Sequence, residues 1–158
     1  MPSTRPRRDA LRGDDDMSDI RRISADEAHA CMQQGHTFVD VRTEEEFDAG
    51  HPAGALNVPF MLSVQGTMLP NAEFLSVMTR AFPKDARIVL GCAAGNRSAR
   101  AATALASVGF SGLLDLRPGW NGARDAFGQV VEKGWLAAGL PTALAACGGS
   151  YADVKQRT

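Results

Sequence analysis

Residues 86–98 read Ala86-Arg87-Ile88-Val89-Leu90-Gly91-Cys92-Ala93-Ala94-Gly95-Asn96-Arg97-Ser98, and the order of residue types in this stretch decides the fold. The first half is a continuous apolar, β-branched run, the pattern of a strand buried on both faces in a parallel sheet. The second half passes through small residues into an alanine-rich segment from about Ser98 to Val108. That segment has high helix propensity and stops at Gly109, a natural residue just past a helix end.

The same alternation extends on both sides. Upstream, Ser24-Ala25-Asp26-Glu27 is a capping box that opens a helix running to about Gln34 and stopping at Gly35. Thr37-Phe38-Val39-Asp40-Val41 predicts a short buried strand. Thr43-Glu44-Glu45-Glu46 is a second capping box, for a short helix ending near Gly50. Residues 54–59 predict a turn into a brief extended stretch, and Asn71 is expected to cap a helix through Phe82, before Pro83. Downstream, Gly112-Leu113-Leu114-Asp115-Leu116 predicts a strand. Two short helical stretches are expected near Asn121 to Phe127 and Val131 to Ala138. Strands alternating with helices at this spacing define an α/β domain with a mainly parallel sheet.

Length and composition agree with one domain. The chain has 158 residues, 44% apolar and 22% charged, with a formal net charge of −1. So balanced a charge gives no basic face for nucleic acid. No apolar run approaches the roughly 20 residues needed to span a bilayer, and no secretory signal core follows the N-terminal arginines. A cytoplasmic location is the expectation. Residues 1–18, a basic cluster followed by three aspartates, are expected to be a disordered extension. The folded domain is expected over residues 19–143, with residues 144–158 as a C-terminal tail. Cys31, Cys92 and Cys147 form no disulfide framework and no C-x-x-C pair, and the default for each is packing.

Cys92 departs from that default. In open parallel sheets, sites form where strands end and helices begin. Cys92 leaves the strand there, a few residues before a helix N-terminus with unpaired N–H groups and partial positive charge. Ala93, Ala94 and Gly95 let the loop curl, so that the amides of Ala93 to Arg97, including Asn96, are expected to converge on the Cys92 sulfur. Cysteines in such settings have pKa values lowered from about 8.5 to roughly 3.5–7.5, and the thiolate is the attacking species. Arg97 adds a permanent charge and a fork of donors suited to an oxyanion.

The run Cys92-x-x-Gly95-x-Arg97-Ser98 resembles the active-site loop of rhodanese-type sulfurtransferases. Asp40-Val41-Arg42, with Glu46-Phe47, Gly50-His51, Gly54-Ala55 and Val58-Pro59, resembles a second block of that family. Lys133-Gly134-Trp135 with Ala138-Gly139-Leu140-Pro141 resembles its closing block. The three stand in the right order and span roughly residues 20–142. The resemblance implies a rhodanese fold, a central mainly parallel sheet flanked by helices on both faces. It implies a ping-pong cycle in which Cys92 takes the outer sulfur of a small sulfur-containing anion such as thiosulfate, or of a persulfide, and passes it to cyanide, a small thiol or a protein cysteine. Ala93, Ala94, Gly95, Asn96 and Arg97 would bind the donor, with no cofactor and no metal.

Other readings stand beside this one. A non-catalytic rhodanese module that binds a partner protein would share the fold. A cysteine-dependent phosphatase or arsenate reductase would share the nucleophile, but phosphatase relatives carry one more residue between cysteine and arginine than the four found here. Pro118 stands where many members of the family have a glycine, and Pro52 where isoleucine or valine is common. Ala93 and Ala94 replace the cationic or bulky residues often seen after the cysteine, which weakens the case for thiosulfate. Asp40 and Arg42 are expected to be a structural pair, His51 a hydrogen-bonded turn residue, and Trp120 and Trp135 packing residues.

Overall fold

The structure, a computed structural model, describes residues 20–144 and 149–156. The extension expected over residues 1–18, and Cys147, lie outside the described residues. In chain order the elements are β1 (Arg21–Ile23), α1 (Ala25–Gln33), β2 (Thr37–Asp40), α2 (Glu44–Ala49), β3 (His51–Pro52), β4 (Leu56–Asn57), β5 (Met61–Val64) and β6 (Thr67–Pro70). There follow α3 (Phe74–Ala81), β7 (Ile88–Gly91), α4 (Asn96–Ser107), β8 (Leu113–Leu116), β9 (Ala123–Arg124), β10 (Val130–Glu132), β11 (Thr142–Ala143) and α5 (Tyr151–Gln156). Among the described residues no helix is long and apolar enough to cross a membrane.

Five strands form the central sheet in the order β1-β8-β7-β2-β4, and every neighbouring pair is parallel. Alternation along the strands sorts their side chains into two cores. Val39, Ile88 and Leu90 face one layer with Phe74, Val77 and Met78 of α3, Ala101 and Leu105 of α4, and Val154 of α5. Phe38, Val89 and Leu116 face the other, with Ala25 and Ala28 of α1, Phe47 of α2 and Trp135. Burial on both faces is what the unbroken apolar strands require.

Both capping boxes form. Ser24 Oγ accepts from the Glu27 amide while Glu27 reaches back to the Ser24 amide, and Thr43 and Glu46 repeat the arrangement. Asn71 departs from its expected role. Its Oδ1 accepts from the Glu73 amide at 3.0 Å, closing a turn ahead of α3, whose N-cap residue is Glu73. The Asn71 side-chain amide instead donates to Pro59 O and the Tyr151 hydroxyl.

Three further expectations are corrected, the helices near 121–127 and 131–138 and the C-terminal tail, and one hairpin is added to what the sequence pattern shows. Residues 121–127 and 131–138 form no helices; β9 and β10 pair antiparallel. Asp125 Oδ1 accepts from the amides of Phe127 and Gln129, so its side chain closes a turn, and Val130-Val131 suit an extended conformation. Residues 61–70 form the β5–β6 hairpin around Gln65-Gly66, both at positive φ, as a two-residue hairpin turn prefers. The tail beyond residue 143 supplies α5, where Tyr151 and Val154 are buried in the core of the domain.

Candidate active site

The chain runs from β2 outward to β4 and returns to place β7 on the other side of β2. The sheet therefore changes direction between β2 and β7, the place where open parallel sheets build their sites. Asp40 is level with Gly91, and Leu90 with Asp115, so the carboxyl ends of three strands converge. They deliver the Asp40–Arg42 corner, the Cys92–Ser98 loop and the Asp115–Trp120 turn.

Cys92 is 2% exposed, which alone would suit a packing cysteine. Its sulfur is engaged differently. Cys92 Sγ accepts from the amides of Gly95 and Ser98, each at 3.2 Å, and lies 3.4 Å from Ser98 Oγ. Helix α4 begins with Gly95 at its N-cap, without a side-chain cap of the usual kind. The sulfur thus sits where a capping oxygen normally would, bonded to the third helical amide at the positive end of the dipole. Of the amides expected to converge, Gly95 donates to the sulfur. The other donor is Ser98, one residue beyond the expected set.

Two glycines make this loop possible. Gly95 has φ +94°, and a Cβ there would run into the Arg117 carbonyl oxygen. Its own carbonyl accepts from Arg22 Nη2 at 3.1 Å. Gly119 has φ +66°, and a Cβ there would lie 2.5 Å from Cys92 O and 2.6 Å from Ala93 O. Without that Cβ, the Trp120 and Asn121 amides reach Cys92 O and Ala93 O at 2.7 and 2.8 Å, bracing the loop from below. Pro118 sits at the preceding position, so the turn keeps the glycine it needs.

Arg97 points its fork at Glu46, with Nη1 and Nη2 donating to Oε1 and Oε2 at 2.7 and 3.0 Å. An oxyanion would have to compete with that bidentate pair. Burial opposes the Glu46 charge, but the Arg97 fork and the Thr43 amide overcome it and lower its pKa to about 2. The same pair raises the Arg97 pKa. Ala94 and Asn96 are exposed at the lip, and Ala93 is half-buried.

Arg42 and Asp40 form a buried ion pair at 2.7 Å. Arg42 also donates to Gly50 O at 2.6 Å and lies over the Trp120 ring at 4.9 Å. Trp120, Phe38, Pro52 and Leu116 line the small space around Cys92. His51 is buried, stacked on Phe47 at 3.6 Å, and its Nδ1 donates to Phe47 O. Trp135 is wholly buried and donates to Pro141 O. Among the described residues no group of histidine, cysteine and carboxylate side chains is arranged to hold a metal. Sequence reasoning missed Glu46, Asp115 and Arg22 as neighbours of the site. Glu46 stood out as a capping residue and as part of the second family block, not as a partner of Arg97, and the other two meet through sheet register.

Comparison with known proteins agrees with this architecture. The profile of the family described as Rhodanese-like domain matches residues 24–126, well over half of the chain. The chain belongs to the rhodanese-like domain family. It is 37% identical to thiosulfate sulfurtransferase 16, chloroplastic, of Arabidopsis thaliana, over 76% of this chain and 90% of that one. It is 32% identical to thiosulfate sulfurtransferase GlpE of Pseudomonas fluorescens, over 75% of this chain and 97% of that one. A 41% match to senescence-associated protein DIN1 of Raphanus sativus covers 59% of this chain and spans only 51% of that protein. Among solved structures, Rv0390 from M. tuberculosis superimposes with a TM-score of 0.65 at 27% identity, covering 78% of this chain and 97% of that one. The rhodanese fold and its parallel sheet are therefore shared with these relatives.

Proposed function

We propose that this rhodanese-like domain is a sulfurtransferase that carries a sulfane sulfur on Cys92 as a persulfide. The observation that carries the reading is the pair of 3.2 Å amide contacts to Cys92 Sγ at the start of α4. Donors fixed at that position favour an anionic sulfur without reorganisation during the reaction. The Cys92 thiolate attacks the outer sulfur of thiosulfate or of a persulfide donor. The sulfur–sulfur bond of the donor breaks, sulfite or a thiolate leaves with the electron pair, and the new persulfide terminus is held by the loop. Cyanide, a small thiol or a protein cysteine then takes the outer sulfur and returns Cys92 to the thiolate. In this reading Ala93, Ala94, Gly95 and Asn96 shape the donor site. Arg97 acts there mainly by clamping the loop through Glu46. The names of the relatives support the reaction class.

The near-complete enclosure of Cys92 favours a second reading, a partner-binding module without turnover. Intact mass after incubation with thiosulfate, polysulfide or a cysteine persulfide separates the two. The expected result is a gain of about 32 Da that cyanide removes and Cys92→Ser abolishes. No adduct from any of the three donors would leave the binding module standing instead.

A further inference from the structure

Gly95 sits at the centre of the loop around Cys92. Its N–H donates to Cys92 Sγ at 3.2 Å, its φ is +94°, and its carbonyl opens α4 by accepting from the Ala99 amide. That first helical bond is 3.4 Å long, beyond the usual range for a strong one. Glycine reaches this backbone region and several others at similar cost, so its own preferences do not keep the N–H on the sulfur. Something else must hold the carbonyl.

Arg22 does so. Its Nη2 donates to Gly95 O at 3.1 Å, while Nε of the same guanidinium donates to Asp115 Oδ2 at 2.8 Å. The strand register prepares this arrangement, because Arg22 on β1 stands level with Asp115 on β8. The Asp115 side chain is 1% exposed and that of Arg22 44%, so the buried carboxylate is the fixed end of the clamp. The Arg22 backbone is held as well, its carbonyl accepting from Arg117 Nη1 at 3.0 Å. A planar guanidinium fixes the angle between its two donors, so Gly95 O is located relative to β8.

We infer that Arg22 is a positioning residue: by anchoring Gly95 O to Asp115 it keeps the Gly95 N–H on the Cys92 sulfur and favours the anionic form of that sulfur. It touches no substrate. Arg22 and Asp115 alternate along their strands with Ile23 and Leu116, which face the α1 layer, so they lie on the α4 side of the sheet. The space beside Cys92 is lined from the opposite side by Phe38, Leu116 and Trp120. The other charged groups around the loop are paired with one another, Arg97 with Glu46 and Arg42 with Asp40. The part of Arg22 in turnover rests on the proposed sulfur transfer, whereas its hold on the sulfur does not.

The test is Arg22→Lys in the full-length chain, with Cys31 and Cys147 replaced by serine so that Cys92 alone reacts. Lysine keeps a cation beside Asp115 but lacks the two-point fork. Alkylation by iodoacetamide across a range of pH follows the Cys92 thiolate. The expected profile moves to higher pH, with the rate on its rising limb about three- to tenfold lower, as for one weakened hydrogen bond to an anion. The melting temperature stays close to that of the parent. A double variant, Arg22→Gln with Asp115→Asn, leaves no lone buried charge and is expected to move the profile equally. A lysine profile that overlays the parent's, or one displaced only with loss of the fold, overturns the inference. Where the parent loads sulfur from thiosulfate, Arg22→Lys is expected to lower the maximal loading rate and leave the half-saturating donor concentration unchanged. A displaced alkylation profile alongside a parent that never loads keeps the clamp and sinks the sulfurtransferase. Loading with overlaid profiles does the reverse.

Discussion

Glu46 and Arg97, 51 residues apart in sequence, are joined by two hydrogen bonds of 2.7 and 3.0 Å that tie the first turn of α2 to the first turn of α4. Glu46 simultaneously completes the capping box with Thr43. One carboxylate thus fixes a helix start and, through the arginine, the loop that encloses Cys92.

Replacing Glu46 by glutamine removes the charge but keeps the size. The arginine, 17% exposed, then loses its partner, and the expected loss is about 1–2 kcal/mol of stability, between that of an exposed and a buried pair. Urea unfolding of Glu46→Gln beside the parent protein measures it. Coincident curves would show that the pair contributes nothing.

The pH dependence follows from the same residue. The folded pKa of Glu46 is depressed from 4.5 to about 2, so the ionised form is stabilised by folding. That contribution is fully present above the unfolded value and is lost as pH falls through the folded one. Stability is therefore expected to fall between about pH 4.5 and pH 2. With the carboxylate 36% exposed, solvent screening holds this contribution to about 1–2 kcal/mol. Thermal melts across that interval are expected to show a shallower acid slope for Glu46→Gln than for the parent chain. Equal slopes would assign the acid sensitivity to other carboxylates.

Gly95→Ala places a methyl group against the Arg117 carbonyl and asks alanine to adopt φ +94°. The loop must shift, withdrawing an amide from the sulfur. A loss of about 1–3 kcal/mol in stability is expected, together with a loss of persulfide loading seen by intact mass. Loading at the parental rate would mean that the Gly95 amide is dispensable.

Ending the chain after Ser150 removes α5 and uncovers the core on the α3 side, where Tyr151 also meets Asn71 at 3.0 Å. The expected cost is about 2–5 kcal/mol, in the range of large core truncations. A truncated domain with the parental melting temperature would show that α5 is only an appendage.

What could be read from the sequence was local. Capping boxes lie within four residues, and the strand, cysteine and helix of residues 86–107 follow one another directly, so periodicity and turn chemistry sufficed there. Asn71 was misread because its side chain closes a turn two residues before the helix that it was expected to cap. The β9–β10 ribbon was missed because its Asp125 turn resembles the start of a helix until strand pairing selects the extended form. Arg22 and Asp115 are 93 residues apart and meet through the parallel register of β1 on β8. No spacing rule within the sequence brings such a pair together. The Arg97–Glu46 pair was equally out of reach, because the two residues are 51 positions apart and Glu46 already had a local role as a cap.

A helix that starts on a cysteine sulfur makes folding sensitive to what that atom carries. Alkylation of Cys92 would neutralise and crowd the acceptor that the Ser98 amide uses, at a cost of about 1 kcal/mol or more, as for other lost helix caps. Chemically damaged copies would then melt first, and quality-control proteases could distinguish spent molecules from serviceable ones without recognising the lesion itself.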